Sequence, residues 1–160
     1  MVDPSSVDDQ PHELLQSWPS DSTVFLRNMI EVFPLGALVI GLDHRIVLAN
    51  RAARKASGHP DPVSAGVKCH ELTHYSSTPC SGADDPCPLR EVVRTKAPVT
   101  TVHTHYDVAG HGRRVEVRAA PILDEHGEVT AIIEAQIDVQ KDDRDQRRLL
   151  ASEEQHRALV

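Results

Sequence analysis

The chain has 160 residues, 39 % hydrophobic and 26 % charged, with a net charge of −7. That length suits one globular domain with short flanking segments, and the acidic balance argues against a nucleic-acid partner, which needs a basic face for phosphate. No apolar run reaches the roughly 20 residues that cross a bilayer, and the polar, acidic start from Met1 to Gln10 lacks the basic and apolar regions of a secretion signal; a cytoplasmic location is expected, with no membrane contact in this segment.

Residues 1–20 carry Pro, Ser, Asp and Gln and few large apolar groups, and read as a flexible leader. From about Asp21 the spacing of Val24, Phe25, Met29, Val32 and Phe33 predicts a helix behind a Ser20-Asp21-Ser22 cap, ended by Pro34. Two short apolar runs, 37–42 and 45–49, parted by Asp43-His44, predict a β-hairpin. Asn50 then caps a short helix over 51–57 with Ala52, Ala53 and Ala56 as its buried face, and Gly58 stops it.

The segment 66–89 holds every cysteine in the protein: Cys69, Cys80 and Cys87, with His74 between the first two, in the pattern C-x4-H-x5-C-x6-C. Soft thiolates and an imidazole are the donors of a tetrahedral metal site or an iron–sulfur cluster. In a reducing compartment an odd cysteine count favours metal binding or redox chemistry over structural disulfides. His70, beside Cys69, is a reserve ligand. The six-residue interval between Cys80 and Cys87 is long for a zinc knuckle. The acidic pair Asp84-Asp85 beside Cys87 tilts the expectation from a cluster toward zinc. A reversible Cys80–Cys87 disulfide and inert cysteines are the other readings of the same residues.

After Cys87, Pro88 suits a first helical turn, and Leu89, Val92 and Val93 mark one face of a helix to about Lys96, closed by Pro98. The last third predicts a three-stranded meander. Its first strand, 99–108, sets Val102, Thr104, Tyr106 and Val108 against Thr101, His103 and His105; the two histidines, two apart on one face, suit a second metal pair, but a solvated face is the expected reading. Turns at 109–112 and 124–127 place His111 and His126 in water. Val115, Val117 and Ala119 share one face of the second strand; Val129, Ala131, Ile133, Ala135 and Ile137 share one side of the third. From Gln140 onward the sequence is charged and helix-favouring.

This order of elements, with Gly41-Leu42-Asp43 before the first turn, Ala49-Asn50-Arg51-Ala52-Ala53 opening the first core helix, Gly127 before the last strand and Ile137-Asp138-Val139 after it, resembles the PAS domain of bacterial signalling proteins. The resemblance implies an α+β PAS fold over 21–140: a five-stranded antiparallel sheet with helices on one face, flanked by an amino-terminal helix and a carboxy-terminal signal helix at 141–160. Ser152 to Val160 is similar to the helix that opens a further PAS domain, so a downstream output domain, a histidine kinase or another PAS, is expected in the same polypeptide. The cysteine segment, with Pro79-Cys80 and Cys87-Pro88-Leu89, is similar to a cysteine-bearing variety of PAS domain. By that resemblance Cys69, His74, Cys80 and Cys87 form one cofactor site, and the domain is a homodimeric, non-enzymatic input module. The reactive-cysteine helix of flavin photosensors is absent and the long helix has no histidine, so neither flavin nor haem is expected.

Overall fold

The computed structural model describes residues 22–139. The expected leader at 1–20 and signal helix at 141–160 lie outside the described residues. Helix α1 is Ser22–Glu31, followed by strands β1 (Gly36–Gly41) and β2 (Ile46–Ala49) and helices α2 (Arg51–Ser57), α3 (Cys69–His74) and α4 (Pro88–Thr95). Strands β3 (Val99–Tyr106), β4 (Gly112–Leu123) and β5 (Val129–Asp138) complete one five-stranded sheet in the order β2-β1-β5-β4-β3, every pairing antiparallel.

Both faces of the sheet are covered. Leu38, Ile40 and Ile132 pack on the side of α2, α3 and α4 with Leu72, Leu89 and Val92, whereas Ala37, Val39 and Leu48 pack on the other side with Ile30 of α1. Strand β1 is therefore apolar at consecutive positions, because alternate side chains enter different clusters. Helix α1 corrects its expected face: Ile30 is buried, while Val24, Met29, Val32 and Phe33 are exposed. The short helix differs similarly, with Ala53 and Ser57 buried and Ala52 and Ala56 only partly so.

Asn50 locks the first half together. Its Oδ1 accepts from Ala53 N, as the cap of α2, and from Ala37 N of β1, both at 2.9 Å. Its Nδ2 donates to the carbonyls of Ile30, Phe33 and Leu35 at 2.8 to 3.3 Å. Gly58 ends α2 in the left-handed region at φ 68°. In the meander, Asp107 and Asp124 each accept two backbone N–H bonds and close their turns.

The odd-numbered face of β5 is a second departure. Ala131 and Ile133 share one side, against the α1 cluster, as expected, but Val129 packs with Ile132 on the side of the core helices, across a register shift between Ile122 and Leu123, and Glu134 is buried.

Candidate metal centre

The cysteine segment is held to the sheet at three places. Before α3 it runs beside the first hairpin: Arg45 bridges Lys68, Ile46 N donates to the Val67 carbonyl and Cys69 N to the His44 carbonyl. Lys68 N donates to the Glu71 carboxylate at 2.9 Å, closing the start of α3. After α3, Tyr75 turns the chain out through the left-handed region at φ 50°, and the segment to Cys87 has neither helix nor strand. That stretch docks on β3, which is an edge strand. Asp85 accepts from Thr104 N at 3.3 Å, and the Pro86 carbonyl accepts from His103 Nε2 at 2.7 Å. Cys87 then precedes α4, with Pro88 as the first helical residue.

This docking converges donors on one cavity of about 20 Å³, lined in part by Cys69, His74, Cys80, Cys87, His103 and His105. One atom each from His74, Cys80 and His103 lies within 4.8 Å of the others. His74 Nε2 and His103 Nδ1 face each other at 3.3 Å. Two nitrogens bound to one tetrahedral zinc at about 2.0–2.1 Å would stand roughly 3.4 Å apart, so the donor set fits such an ion. The Pro86 carbonyl can only accept; it therefore fixes the His103 proton on Nε2 and, in the neutral ring, leaves a lone pair on Nδ1 toward His74. His105, at the next inward position of β3, sets its ring edge-on to His74 with centroids 5.0 Å apart, and its buried Nδ1 has no hydrogen-bond partner.

All four residues expected from sequence reach this cavity, but not equally. His74 and Cys80 join the close group. Cys87 lines the same cavity as Cys80 but stands outside that close group. Cys69 lines the opposite wall with its Sγ 3.8 Å from His44 Nδ1. The reserve ligand His70 turns elsewhere: its Nδ1 donates to the Ser76 carbonyl at 2.7 Å. His103 and His105 overturn the expected solvated face, being 2 % and 3 % exposed. Glu134, which no sequence signal singled out, is buried in the same wall and accepts from Gln136 at 2.9 Å.

The electrostatics of the cavity push its thiols in opposite directions. The hydrogen bond from Cys80 pulls the Cys87 thiol down to about 5, with help from the N–H groups of Arg90 and Leu89 at the start of α4. The same bond, with burial, pushes Cys80 up. Burial, with the charges of Glu134 and Cys87, pushes Cys69 up to about 12. Burial first and a histidine neighbour second lower His74 and, more strongly, His105. Neutral imidazoles beside a thiolate are the protonation states that metal coordination requires.

The sequence matches the PAS fold family over residues 30–144. This chain is a PAS domain. It belongs to a family of sensory and signalling domains, and no curated protein matches it. Its fold is similar to an RNA-binding Light-Oxygen-Voltage receptor at 24 % identity and a TM-score of 0.58, covering 86 % of this chain but 38 % of that one. The PAS domain of BvgS from Bordetella pertussis aligns at 21 % identity and a TM-score of 0.55, over 84 % of this chain and 99 % of that domain. A PAS domain from a two-component sensor histidine kinase aligns at 12 % and 0.54, over 72 % and 95 %. Among the described residues no helix is long and apolar enough to cross a membrane.

Proposed function

We propose that this PAS domain senses a divalent metal ion, zinc first, through His74, Cys80 and His103, with Cys87 supplying the fourth donor. The observation that carries this is the pair of imidazole nitrogens 3.3 Å apart with Cys80 within reach. A bound zinc ion has no redox chemistry and contributes folding free energy, on the order of 10 kcal/mol at structural sites. A cavity of about 20 Å³ suits one ion and supports that choice over an iron–sulfur cluster. Cys69 then belongs to the surrounding wall with His44.

The responding element is the segment 75–87. It is tied to the scaffold through His74, Asp85 and Pro86, so the state of the centre sets how firmly it lies on β3. In this reading the domain is a non-enzymatic, cytoplasmic input module that works as a homodimer and feeds an output domain of the same polypeptide. A thiol switch is the second reading, favoured by the Cys80 and Cys87 thiols lining one cavity.

Metal analysis and a visible spectrum of protein purified without oxygen test the proposal. About one zinc per chain without colour is expected. Brown protein with iron and sulfide would replace zinc with a cluster. Folded, metal-free protein that takes up no zinc would overturn metal sensing, and a Cys80–Cys87 disulfide on treatment with peroxide would then support the thiol switch.

A further inference from the structure

The inner face of the sheet carries a polar path away from the metal cavity. His105 lies directly across the β3–β4 ladder from Arg113. Two side-chain atoms on this path, His105 Nδ1 and Arg113 Nε, are buried without a hydrogen-bond partner. His105 is 3 % exposed, so its orphan nitrogen is shut off from bulk water. A gap of about 10 Å³ lies between these two residues, and it shares Arg113 and Gln136 with a much larger cleft of about 310 Å³. That cleft opens between α2 and the ends of β1, β4 and β5. Gly36, Ala52 and Ala56 form its low wall and Val115 its floor.

We propose that this cleft binds a small monocarboxylic acid with a short apolar body, its carboxylate on Arg113. A guanidinium is a planar donor fork matched to a carboxylate. Here that fork is underused: the nearest recorded contact to its partner, Arg113 Nη1 to Asp138 Oδ2, is 3.7 Å, an ion pair too long for a hydrogen bond. Among the described residues Arg113 is the one cation that lines the cleft, and it stands beside an acid; in a chain of net charge −7 that selects a monoanion over a phosphate dianion. The small side chains of the low wall leave space for the apolar body. A Cβ at Gly36 would come within 3.1 Å of Gln136 Oε1, so a side chain there would crowd this wall of the cleft. The volume is at the small end for ligand pockets, which limits the acid to a compact one. Asp138 ends β5, so an acid on Arg113 competes for the ion pair at the point where the sheet hands over to the carboxy-terminal segment.

Propionate and butyrate titrations followed by amide NMR and calorimetry test this, in protein stripped of metal with a chelator and again with one equivalent of zinc. Saturable binding is expected in both states, with the shifts centred on Gly36, Ala56 and Arg113. Arg113→Gln should weaken it about tenfold or more. Ala56→Leu should abolish it by filling the cleft while Arg113 stays intact, so a failure of Arg113→Gln to fold does not decide the matter. Absence of saturation, an equal response to chloride at the same ionic strength, or unchanged binding in Ala56→Leu would overturn the site. Because the metal-free protein is one arm, the result stands whether or not the centre at His74 binds zinc.

Discussion

Asn50, His103 and His105 are buried and His74 is half-buried, yet the hydrogen bonding of Asn50 and of the histidine cluster differs. Asn50 spends both donors and its acceptor on α1, β1 and α2, and nothing is left over. In the histidine cluster His103 Nε2 donates to the Pro86 carbonyl and its Nδ1 accepts from His74 Nε2, while His105 Nδ1 has no hydrogen-bond partner among the described residues. A closed network holds a scaffold in one arrangement, and an open one keeps coordination capacity for something the chain does not supply. The fold leaves one imidazole nitrogen open in the histidine cluster and none of the polar atoms of Asn50.

The largest expected effect falls on the closed centre. Asn50→Ala removes the α2 cap and strands the N–H of Ala37 and the carbonyls of Ile30 and Leu35, so urea denaturation should show a loss of about 4 kcal/mol. A loss below about 1 kcal/mol would show that this network does not hold the scaffold.

Glu134 tests the open centre. Burial holds its carboxyl at about 7, above its ordinary 4.5. The folded state therefore prefers the protonated form. Its stabilising contribution is complete below about 4.5 and is lost as pH rises through about 7. In metal-free protein, Glu134→Gln should match the natural chain near pH 4 and exceed it at pH 8 by on the order of 3 kcal/mol. A stability difference that does not change between those pH values would contradict the burial argument.

A pair of glycines gives the smallest contrast. A Cβ on Gly58 would meet Val108 Cγ1 at 1.9 Å, whereas one on Gly82, in the segment between Cys80 and Cys87, would meet nothing within 4 Å. Both have positive φ, so both alanine variants carry backbone strain. Thermal unfolding should place Gly58→Ala at about 2 kcal/mol and Gly82→Ala nearer 1 kcal/mol. Equal costs would mean that the segment packs as tightly as the scaffold.

Much of the scaffold was legible because its signals are local. The hairpin around Asp43-His44, the cap at Asn50, the stop at Gly58 and the turns before β4 and β5 all depend on neighbouring residues, and each stands where the sequence put it. The four residues Cys69, His74, Cys80 and Cys87 were legible as a group because they share one segment, and they line one cavity. His103, His105 and Glu134 were not. Strand alternation divides residues between two faces, but hydrophobicity then chose the wrong face for β3. Its inner face meets the cysteine segment, so histidines turn inward and Val102 and Tyr106 remain partly exposed. The apolar residues of β5 are explained by α1, which covers the other side of the sheet, leaving Glu134 facing inward. Those contacts are long-range, and no local pattern encodes them.

In the proposed site His103 takes the place of Cys69 beside His74, Cys80 and Cys87. Zinc competition against a chromophoric chelator, with His103→Ala and Cys69→Ser compared to the natural chain, tests it directly. His103→Ala is expected to weaken zinc binding at least about tenfold, and Cys69→Ser to change it by less than about threefold. Unaltered affinity in His103→Ala, together with a large loss in Cys69→Ser, would contradict it and return Cys69 to the coordination sphere.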